Sequence, residues 1–343
     1  FVSPMHEMRN KSALMIKRTE TEILKITEAQ KCSLEDLKKR WIVMYGKSYY
    51  VLDENGDYKK PVLKNELAIS LPRDLEQFDK VSGGVELKRK RDDDENFPKS
   101  VDELLRDYCS HARHLVADMS LRQSYYVPET ETFYEAACPL SSVIPTHHFQ
   151  IAEWLKLLAG NQIERLLDWL ATLTDLRRPS AALLITGKSG AGKELLAQGL
   201  ARRWRRSLAP TELGRILADF NEDLTRCPLV FCDEHLPTGR GGKKCGLADL
   251  RSIVAASSRT LARKFMSNAD LVGSIRLVLA ANDNKMLADH EDQTGNAQEA
   301  TAIRFIHLLV DEKPVEYLRS IGGRNTTEAW VSGGQIAEHV AWL

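Results

Sequence analysis

The chain has 343 residues, of which 43% are hydrophobic, a composition that can build one large core with one or two smaller domains. Lysine plus arginine equals aspartate plus glutamate at 48 each, so any nucleic-acid binding must come from locally placed basic residues and not from a bulk positive field. The sequence contains no run of about 18 apolar residues and no apolar leader at its start, so we expect a cytoplasmic protein without a membrane partner.

Six cysteines are scattered along the chain without a CxxC pair. This pattern argues against a zinc ribbon and against the disulfide framework of a secreted protein. We therefore expect reduced thiols, of which Cys227 and Cys232 fall in predicted core segments.

Residues 1–85 predict a small α+β appendage. Apolar residues first recur at helical spacing, and the run from Trp41 to Leu52 then predicts a hairpin that turns at residues 53–56. Residues 86–100 join a basic block to an acidic one, and such runs rarely pack, so they predict a solvated linker. The alternative for the same charges is a patch for DNA binding or nuclear import.

The next two segments predict different structures. Residues 101–145 predict one helix, from Val101 to Leu115, followed by a hairpin that turns at residues 127–130. Residues 146–178 predict a helical collar, because apolar residues recur at the spacing i, i+3, i+4 and i+7. Such a collar could join subunits, or it could simply cap the core. Its two helices are predicted over 149–159 and 162–173.

The strongest chemical signal begins at Ala181. A buried-strand run over 181–186 leads directly into a glycine loop over 187–193, and a helix is predicted over 195–203. Glycines let backbone N–H groups curl around phosphates, the helix adds its positive end, and Lys193 reaches the β- and γ-phosphate oxygens. The residues predicted to bind ATP are Gly187, Ser189, Gly190, Ala191, Gly192, Lys193 and Glu194.

Glu194 departs from this motif, which has Ser or Thr after the lysine to hold Mg²⁺ with a hydroxyl. A carboxylate can bind magnesium directly or through water, but it brings negative charge close to the phosphates. A second interpretation makes Glu194 only a first-turn residue that the helix dipole favours. A third is a pocket that binds ATP and hydrolyses it slowly.

Two further strands end in polar residues. The run from Pro228 to Cys232 ends in Asp233 and Glu234, and acids at the carboxyl end of a parallel strand face the ligand crevice. Asp233 is predicted to hold Mg²⁺, and Glu234 to act as the general base on the attacking water. The alternative is a pair of surface acids. The strand over 275–281 ends in Asn282, an amide that can orient that water.

The three motifs of residues 187–282 together resemble the superfamily-3 helicases of the AAA+ class, particularly the primase-helicase proteins of phages, viruses and mobile elements. The resemblance implies an α/β fold, with a P-loop AAA+ core at 179–312 whose parallel sheet is flanked by helices. It implies ATP and Mg²⁺ as cofactors and ATP hydrolysis as the activity. It also implies a replicative motor that moves on single-stranded DNA or at a replication fork, as a homo-oligomeric ring that is expected to be a hexamer.

The resemblance also assigns basic residues. A hairpin between the second and third motifs would project Arg263 and Lys264 onto the DNA backbone, in contacts that are blind to sequence and sensitive to salt. The alternative for both is a contact with the nucleotide or with a neighbouring subunit. Arg304 would reach the γ-phosphate bound by the adjacent subunit. Arg304 could instead be an ordinary strand residue, with Arg276 or Arg251 as the finger.

The tail over 313–343 predicts short helices that could open a winged-helix module. Because the chain starts at Phe1, we expect a piece of a longer polypeptide, in which a primase-polymerase could precede the helicase part. No primase pattern of carboxylates is visible, so no priming activity is predicted here. Two other classes stay open: a non-translocating ATP switch or loader, and a small-molecule kinase, in which Asn282 and Arg304 would have no role.

Overall fold

The chain is described from a computed structural model. The described residues are 41–52, 57–58, 61–64, 67, 105–106, 109–205, 207–217, 220–238, 242, 244–264, 268–283, 286 and 303–343. The chain divides into two compact units, residues 1–44 with 48–111 and residues 45–47 with 112–343. The predicted linker over 86–100 lies outside the described residues.

The first unit contains a three-stranded sheet in which β1 (Ile42–Tyr45) lies between β2 (Ser48–Val51) and β3 (Cys109–His111). The run from Trp41 to Leu52 is itself a hairpin that turns at Gly46, between β1 and β2. The predicted turn over 53–56 lies outside the described residues, and an antiparallel bridge joins Leu52 and Tyr58 on either side of it. Gly46 has a φ of 60°, a conformation that glycine adopts without steric cost, so the chain reverses there. The core of this sheet is built from Trp41, Ile42, Tyr49, Val51 and Leu67.

The second unit contains a mixed sheet with the order β10-β11-β4-β6-β5. Antiparallel pairing of the fifth and sixth strands confirms the predicted hairpin. The helix predicted to reach Leu115 is wrong over Cys109 to Leu115, where the chain forms strands. Burial there alternates between successive residues, as in a strand, and does not follow a helical period. The strands are β4 (His114–Asp118), β5 (Tyr125–Val127), β6 (Thr132–Ala136), β10 (Ser258–Leu261) and β11 (Ala269–Val272).

The central sheet of this unit is parallel throughout, with the order β13-β7-β12-β9-β8. The strand of the glycine loop and the strand of the acidic pair flank β12 on either side, so their carboxyl ends meet at one edge. The predicted α/β fold with a parallel sheet is confirmed. The strands are β7 (Ala182–Gly187), β8 (Thr211–Glu212), β9 (Leu229–Asp233), β12 (Arg276–Ala281) and β13 (Phe305–Val310).

Helices pack around this sheet. The predicted helix over 149–159 is confirmed with the same bounds, and the helix predicted over 162–173 is present in shorter form. A side chain on Gly199 would meet Ile336 at 2.5 Å, so the helix after the glycine loop packs closely on the C-terminal helix. The helices are α1 (Phe149–Ala159), α2 (Ile163–Ala171), α3 (Lys193–Ala201), α4 (Leu213–Ile216), α5 (Leu247–Ala255), α6 (Lys313–Ser320), α7 (Arg324–Ser332) and α8 (Gln335–Trp342).

Arg276 at the start of β12 is buried and anchors the segment after α2. Its guanidinium donates hydrogen bonds to the carbonyl oxygens of Thr172, Asp175 and Arg178. Burial lowers the pKa of Arg276 to about 10, so the side chain stays charged at neutral pH. The interpretation of Arg276 as an arginine finger is therefore wrong, because the side chain is buried and both of its Nη groups are engaged inside its own subunit.

None of the five cysteines within the described residues forms a disulfide, and Cys32 lies outside those residues. Cys227 and Cys232 are buried in the core, as predicted. Burial raises the pKa of Cys232 to about 12, so its thiol stays protonated at neutral pH. In the described parts of the chain, no helix is both long enough and apolar enough to cross a membrane.

Candidate nucleotide-binding site

The glycine loop leaves the central sheet at Gly187, at the carboxyl end of β7. Gly187 has a φ of 115°, and a side chain there would overlap the carbonyl oxygen of Val310. The next residue, Lys188, donates its backbone N–H to the same oxygen at 3.1 Å. Glycine is therefore required at this position, because β13 closes against the backbone where the loop begins.

The rest of the loop turns into α3. Gly192 precedes the first residue of α3 and has a φ of 91°, while Ala191 before it is fully buried. Ser189 and Gly190 are exposed at the outer side of the loop. The free N–H groups of the first helical turn and the positive end of its dipole therefore lie at the loop, as phosphate binding requires.

Lys193 lies at the centre of the site and is largely buried. Its ammonium donates hydrogen bonds to the carbonyl oxygens of Gly187 and Lys188, at 2.7 and 3.2 Å, and to Oδ1 of Asn282 at 2.8 Å. Burial lowers the pKa of Lys193, and the nearby carboxylates of Glu234 and Asp233 act in the opposite direction. The lysine is thus held across the loop by acceptors from two strands.

Glu234 follows β9 in an unusual backbone conformation. Its φ is 59°, a value that residues other than glycine rarely adopt. Its backbone N–H donates to the carbonyl oxygen of Ala280 at 2.8 Å. This geometry turns the carboxylate toward Asn282, whose amide nitrogen donates to it. Lys193, Asn282 and Glu234 therefore form one hydrogen-bonded chain across three neighbouring strands.

Asp233 contributes a second carboxylate at the same edge. Burial raises the pKa of Asp233, and the nearby charges of Glu234 and Glu194 raise it further, against the influence of Lys193. Several acidic oxygens together favour a hard cation such as Mg²⁺. Among the described residues, no group of three or more His, Cys, Asp or Glu side chains is placed to hold a metal. Nucleotide and water would therefore have to complete the coordination shell.

Glu194 lies in the first turn of α3 with its side chain exposed. Its Oε1 accepts a hydrogen bond from Nε2 of Gln198, one turn further along the helix, at 2.7 Å. The carboxylate is therefore engaged along the helix surface, although its charge still raises the pKa of Asp233. This contact favours the interpretation of Glu194 as a first-turn helix residue.

Arg263 and Lys264 lie just beyond β10, whose antiparallel partner is β11. The two side chains differ, because Lys264 is exposed while Arg263 is only 7% exposed. Arg263 forms an ion pair with Glu135 of β6, with a distance of 3.1 Å between Nη1 and Oε2. The expected projection of Arg263 is therefore not seen in this subunit, where its guanidinium is buried and paired inside the fold. Residues 265–267, between the two strands of this hairpin, lie outside the described residues.

Arg304 lies at the opposite end of the sheet from the glycine loop. In β13, Phe305 pairs with Ala182 at the start of β7, and Val310 pairs with Gly187 at its end. Six residues of strand separate the two ends, a distance of about 20 Å at roughly 3.3 Å per residue. Arg304 is therefore not brought into the site of its own subunit, and it could act on a nucleotide only from a neighbouring one.

Trp154 of α1 is a site residue that the sequence motifs do not identify. Its indole Nε1 donates a hydrogen bond at 3.0 Å to the carbonyl oxygen of Ala191, inside the glycine loop. In the sequence Trp154 is one apolar residue of an amphipathic helix, so only its core position is predicted.

No protein-family model matches the chain, and no curated protein matches it. Among solved structures, the apo structure of the NrS-1 C-terminal region matches 89% of the chain at 14% identity, with a TM-score of 0.58. Its A form matches the same share at 15% identity, with a TM-score of 0.59. The chain spans 66% of the length of each, just under two thirds.

JCV helicase has a TM-score of 0.35 over 56% of the chain at 15% identity, and the chain spans 52% of that structure. A TM-score this low does not establish a shared fold. The resemblance that the motifs predict is confirmed at the level of the fold by the NrS-1 C-terminal region. At 14% identity this likeness establishes the fold alone.

Proposed function

We propose that this chain is an ATP hydrolase that drives a DNA helicase of the superfamily-3 type, moving along single-stranded DNA as a ring. The observation that carries the proposal is the hydrogen-bonded chain from Lys193 through Asn282 to Glu234 at the carboxyl edge of a parallel sheet. A phosphate-binding lysine, an amide and a carboxylate in one chain are the groups that ATP hydrolysis needs.

In this proposal the glycine loop and Lys193 bind the phosphates. Glu234 takes a proton from the attacking water as the general base, and Asn282 holds the carboxylate in position. Mg²⁺ bound near Asp233 would neutralise phosphate charge and fix the geometry of the oxygens. The acidic oxygens at this edge fit such an ion, and so does the pKa of Asp233, which burial and the neighbouring carboxylates raise.

The ring and the DNA contact rest on separate observations. Arg304 lies far from the site of its own subunit, so it would complete the site of the next protomer, which supports an oligomer such as a hexamer. Lys264 is exposed beside the hairpin of β10 and β11, and we keep it as the candidate contact to DNA phosphates. Arg263 instead lies inside the fold, where it forms its ion pair with Glu135.

The test is steady-state ATP hydrolysis with and without single-stranded DNA, together with the mass of the particle by light scattering. A helicase motor should hydrolyse ATP several-fold faster with DNA and should form a particle of several subunits when ATP and Mg²⁺ are present. A monomer whose ATP hydrolysis does not respond to DNA would contradict the motor.

A second candidate is an ATP-binding switch or loader that does not translocate. Glu194 favours it, because a carboxylate replaces the hydroxyl that usually holds Mg²⁺ and adds negative charge beside Asp233. Slow hydrolysis that DNA does not stimulate, combined with tight ATP binding, would support the switch over the motor.

A further inference from the structure

The indole of Trp154 is the only side chain from α1 that we find hydrogen-bonded to the glycine loop within the described residues. The ring is fully buried, at 0% exposure, and Nε1 donates to the carbonyl oxygen of Ala191 at 3.0 Å. A buried carbonyl without a donor is costly, so this bond selects one orientation of the peptide between Ala191 and Gly192.

That orientation matters because the peptide unit is rigid. The bond between Ala191 and Gly192 is trans, since no cis peptide is present among the described residues. In a trans peptide the C=O and the N–H point in opposite directions. A carbonyl fixed on Trp154 therefore directs the N–H of Gly192 away from the indole, and this N–H belongs to the loop that would bind phosphate.

The indole also defines which residue can follow Ala191. A side chain at Gly192 would lie 2.8 Å from the ring of Trp154, which is too close for any real contact. The glycine is thus required by the tryptophan as well as by its own φ of 91°.

Trp154 is itself held from the other side. The ring of Trp330 in α7 lies with its centroid 5.7 Å away and is tilted by 48°. Such tilted aromatic pairs are attractive and leave little freedom to either ring. The C-terminal helices therefore fix the indole that fixes the loop.

We propose that Trp154 is a positioning residue that holds the Ala191–Gly192 peptide in the orientation that binds the nucleotide phosphates, with Trp330 fixing the indole. This proposal rests on the proposed nucleotide binding and adds a residue outside the glycine loop to it. Loss of the indole N–H should weaken nucleotide binding, because part of the binding free energy is then needed to order this peptide each time a nucleotide binds.

A matched control lies in the same layer of helices. Trp169 of α2 is 2% exposed and donates Nε1 to the carbonyl oxygen of Ala181 at 2.8 Å, at the start of β7 and away from the loop. Trp154→Phe and Trp169→Phe each remove one indole N–H and keep an aromatic ring. The two substitutions should lower the free energy of unfolding by similar amounts, and only Trp154→Phe should affect nucleotide binding.

The experiment measures the Kd of an ATP analogue that carries a fluorescent ribose label, by anisotropy, with Mg²⁺ present. Trp154→Phe should raise Kd about fivefold, which is the factor that corresponds to the free energy of one neutral hydrogen bond. Trp169→Phe should change it by less than about twofold. Equal Kd values for the unaltered protein and for folded Trp154→Phe, or equal increases in both variants, would overturn the role of Trp154.

The unaltered protein separates this inference from the proposed function. If it does not bind the analogue, nucleotide binding itself fails; if it binds and Trp154→Phe binds equally well, only the role of Trp154 fails. Should Trp154→Phe not fold, Trp330→Leu replaces it, because it removes the ring that fixes the indole. Folded Trp330→Leu should raise Kd at least about threefold, and an unchanged Kd would contradict the proposal.

Discussion

Asn282 accepts a hydrogen bond from Nζ of Lys193 at 2.8 Å through its amide oxygen, so the glycine loop and the end of β12 are joined directly. The amide nitrogen of the same side chain donates to Glu234. The amide offers an acceptor on its oxygen and a donor on its nitrogen, so one side chain can bridge a cation and a carboxylate. If a bound phosphate displaces the lysine ammonium, we expect this one side chain to transmit the shift to the carboxylate.

Removal of the lysine ammonium should abolish nucleotide binding. Lys193→Ala deletes the charge that would contact the phosphates, where each charge-assisted hydrogen bond contributes about 1.5–3 kcal/mol. We expect Kd for an ATP analogue to rise at least about 100-fold. Calorimetric titration with Mg²⁺ present measures this change.

Lys188→Ala is the matched control, because Lys188 belongs to the same loop but its ammonium pairs with Glu312 at the surface. Its Kd should stay within about threefold of the unaltered protein, since exposed ion pairs contribute little. A variant Lys193→Ala that still binds ATP with unchanged affinity would contradict the assignment of the site.

Glu234→Gln should separate ATP binding from ATP hydrolysis. The amide oxygen of glutamine can still accept from Asn282, but the side chain cannot take a proton from water. We expect kcat to fall by a factor of about 10² to 10⁴ while Kd for ATP changes little. Phosphate release and nucleotide binding, measured on the same preparation, provide the two values. Unchanged kcat would remove Glu234 from the role of general base.

The core of the site was predictable because its signals are local. β7, β9 and β12 are mostly apolar runs that lead into the predicted glycine or polar residue, and the strands differ from the predicted bounds by a residue or so. Parallel pairing then brings the three ends to one edge. The apolar spacing of α1 likewise fixed both ends of that helix.

The parts that were not predictable depend on contacts between distant residues. Arg263 looks like an exposed basic residue of a hairpin, and its partner Glu135 lies 128 positions earlier in a strand that was itself predicted only in outline. Trp154 reaches Ala191 across 37 positions. No spacing rule connects such pairs, so their burial and pairing follow only from the three-dimensional fold.

The two neighbouring basic residues beyond β10 should behave differently on substitution. Arg263→Ala leaves Glu135 buried without its partner, and breaking one side of a buried pair costs about 3–5 kcal/mol. Lys264→Ala removes an exposed charge, so it should leave stability unchanged and weaken binding of single-stranded DNA, with a smaller salt dependence. Thermal unfolding and DNA titrations at several salt concentrations measure both effects.

The double variant Arg263→Met with Glu135→Leu is the control for the buried pair. It removes both charges, so much of the stability lost in Arg263→Ala should return. Basal ATP hydrolysis should be unchanged in Lys264→Ala. DNA binding that survives in Lys264→Ala but disappears in the folded double variant would return the DNA contact to Arg263.

Substitution of Glu194 should show whether its carboxylate binds Mg²⁺. Oε1 of Glu194 accepts a hydrogen bond from Gln198 along the helix. We therefore expect Glu194→Ala to reach half-maximal ATP hydrolysis at a Mg²⁺ concentration within about twofold of that for the unaltered protein. Helix stability should fall by about 0.5 kcal/mol through loss of the first-turn charge and the i, i+4 contact. A tenfold or greater rise in the Mg²⁺ requirement would instead make Glu194 a metal ligand.

His339 of α8 is a buried neutral histidine. It is 1% exposed, and its Nδ1 accepts the backbone N–H of His148 at 3.1 Å. Burial, followed by the nearby His147 and His148, lowers the pKa of His339 to about 4. Glu338 faces the same cluster and binds Nε2 of His148 at 2.9 Å.

A histidine whose pKa is lower in the folded state makes stability depend on pH in a defined window. Between about pH 6.5 and pH 4 the unfolded chain binds the proton and the folded chain does not, so the free energy of unfolding falls as pH decreases. The contribution of His339 to stability is fully present above about pH 6.5. Between pH 7 and pH 5 this single group should remove up to about 2 kcal/mol. His339→Asn keeps an acceptor for the N–H of His148 and cannot take up the proton. Urea unfolding of both proteins at pH 7 and pH 5 should show a smaller loss in the variant, and equal losses would mean that His339 is not the group that titrates.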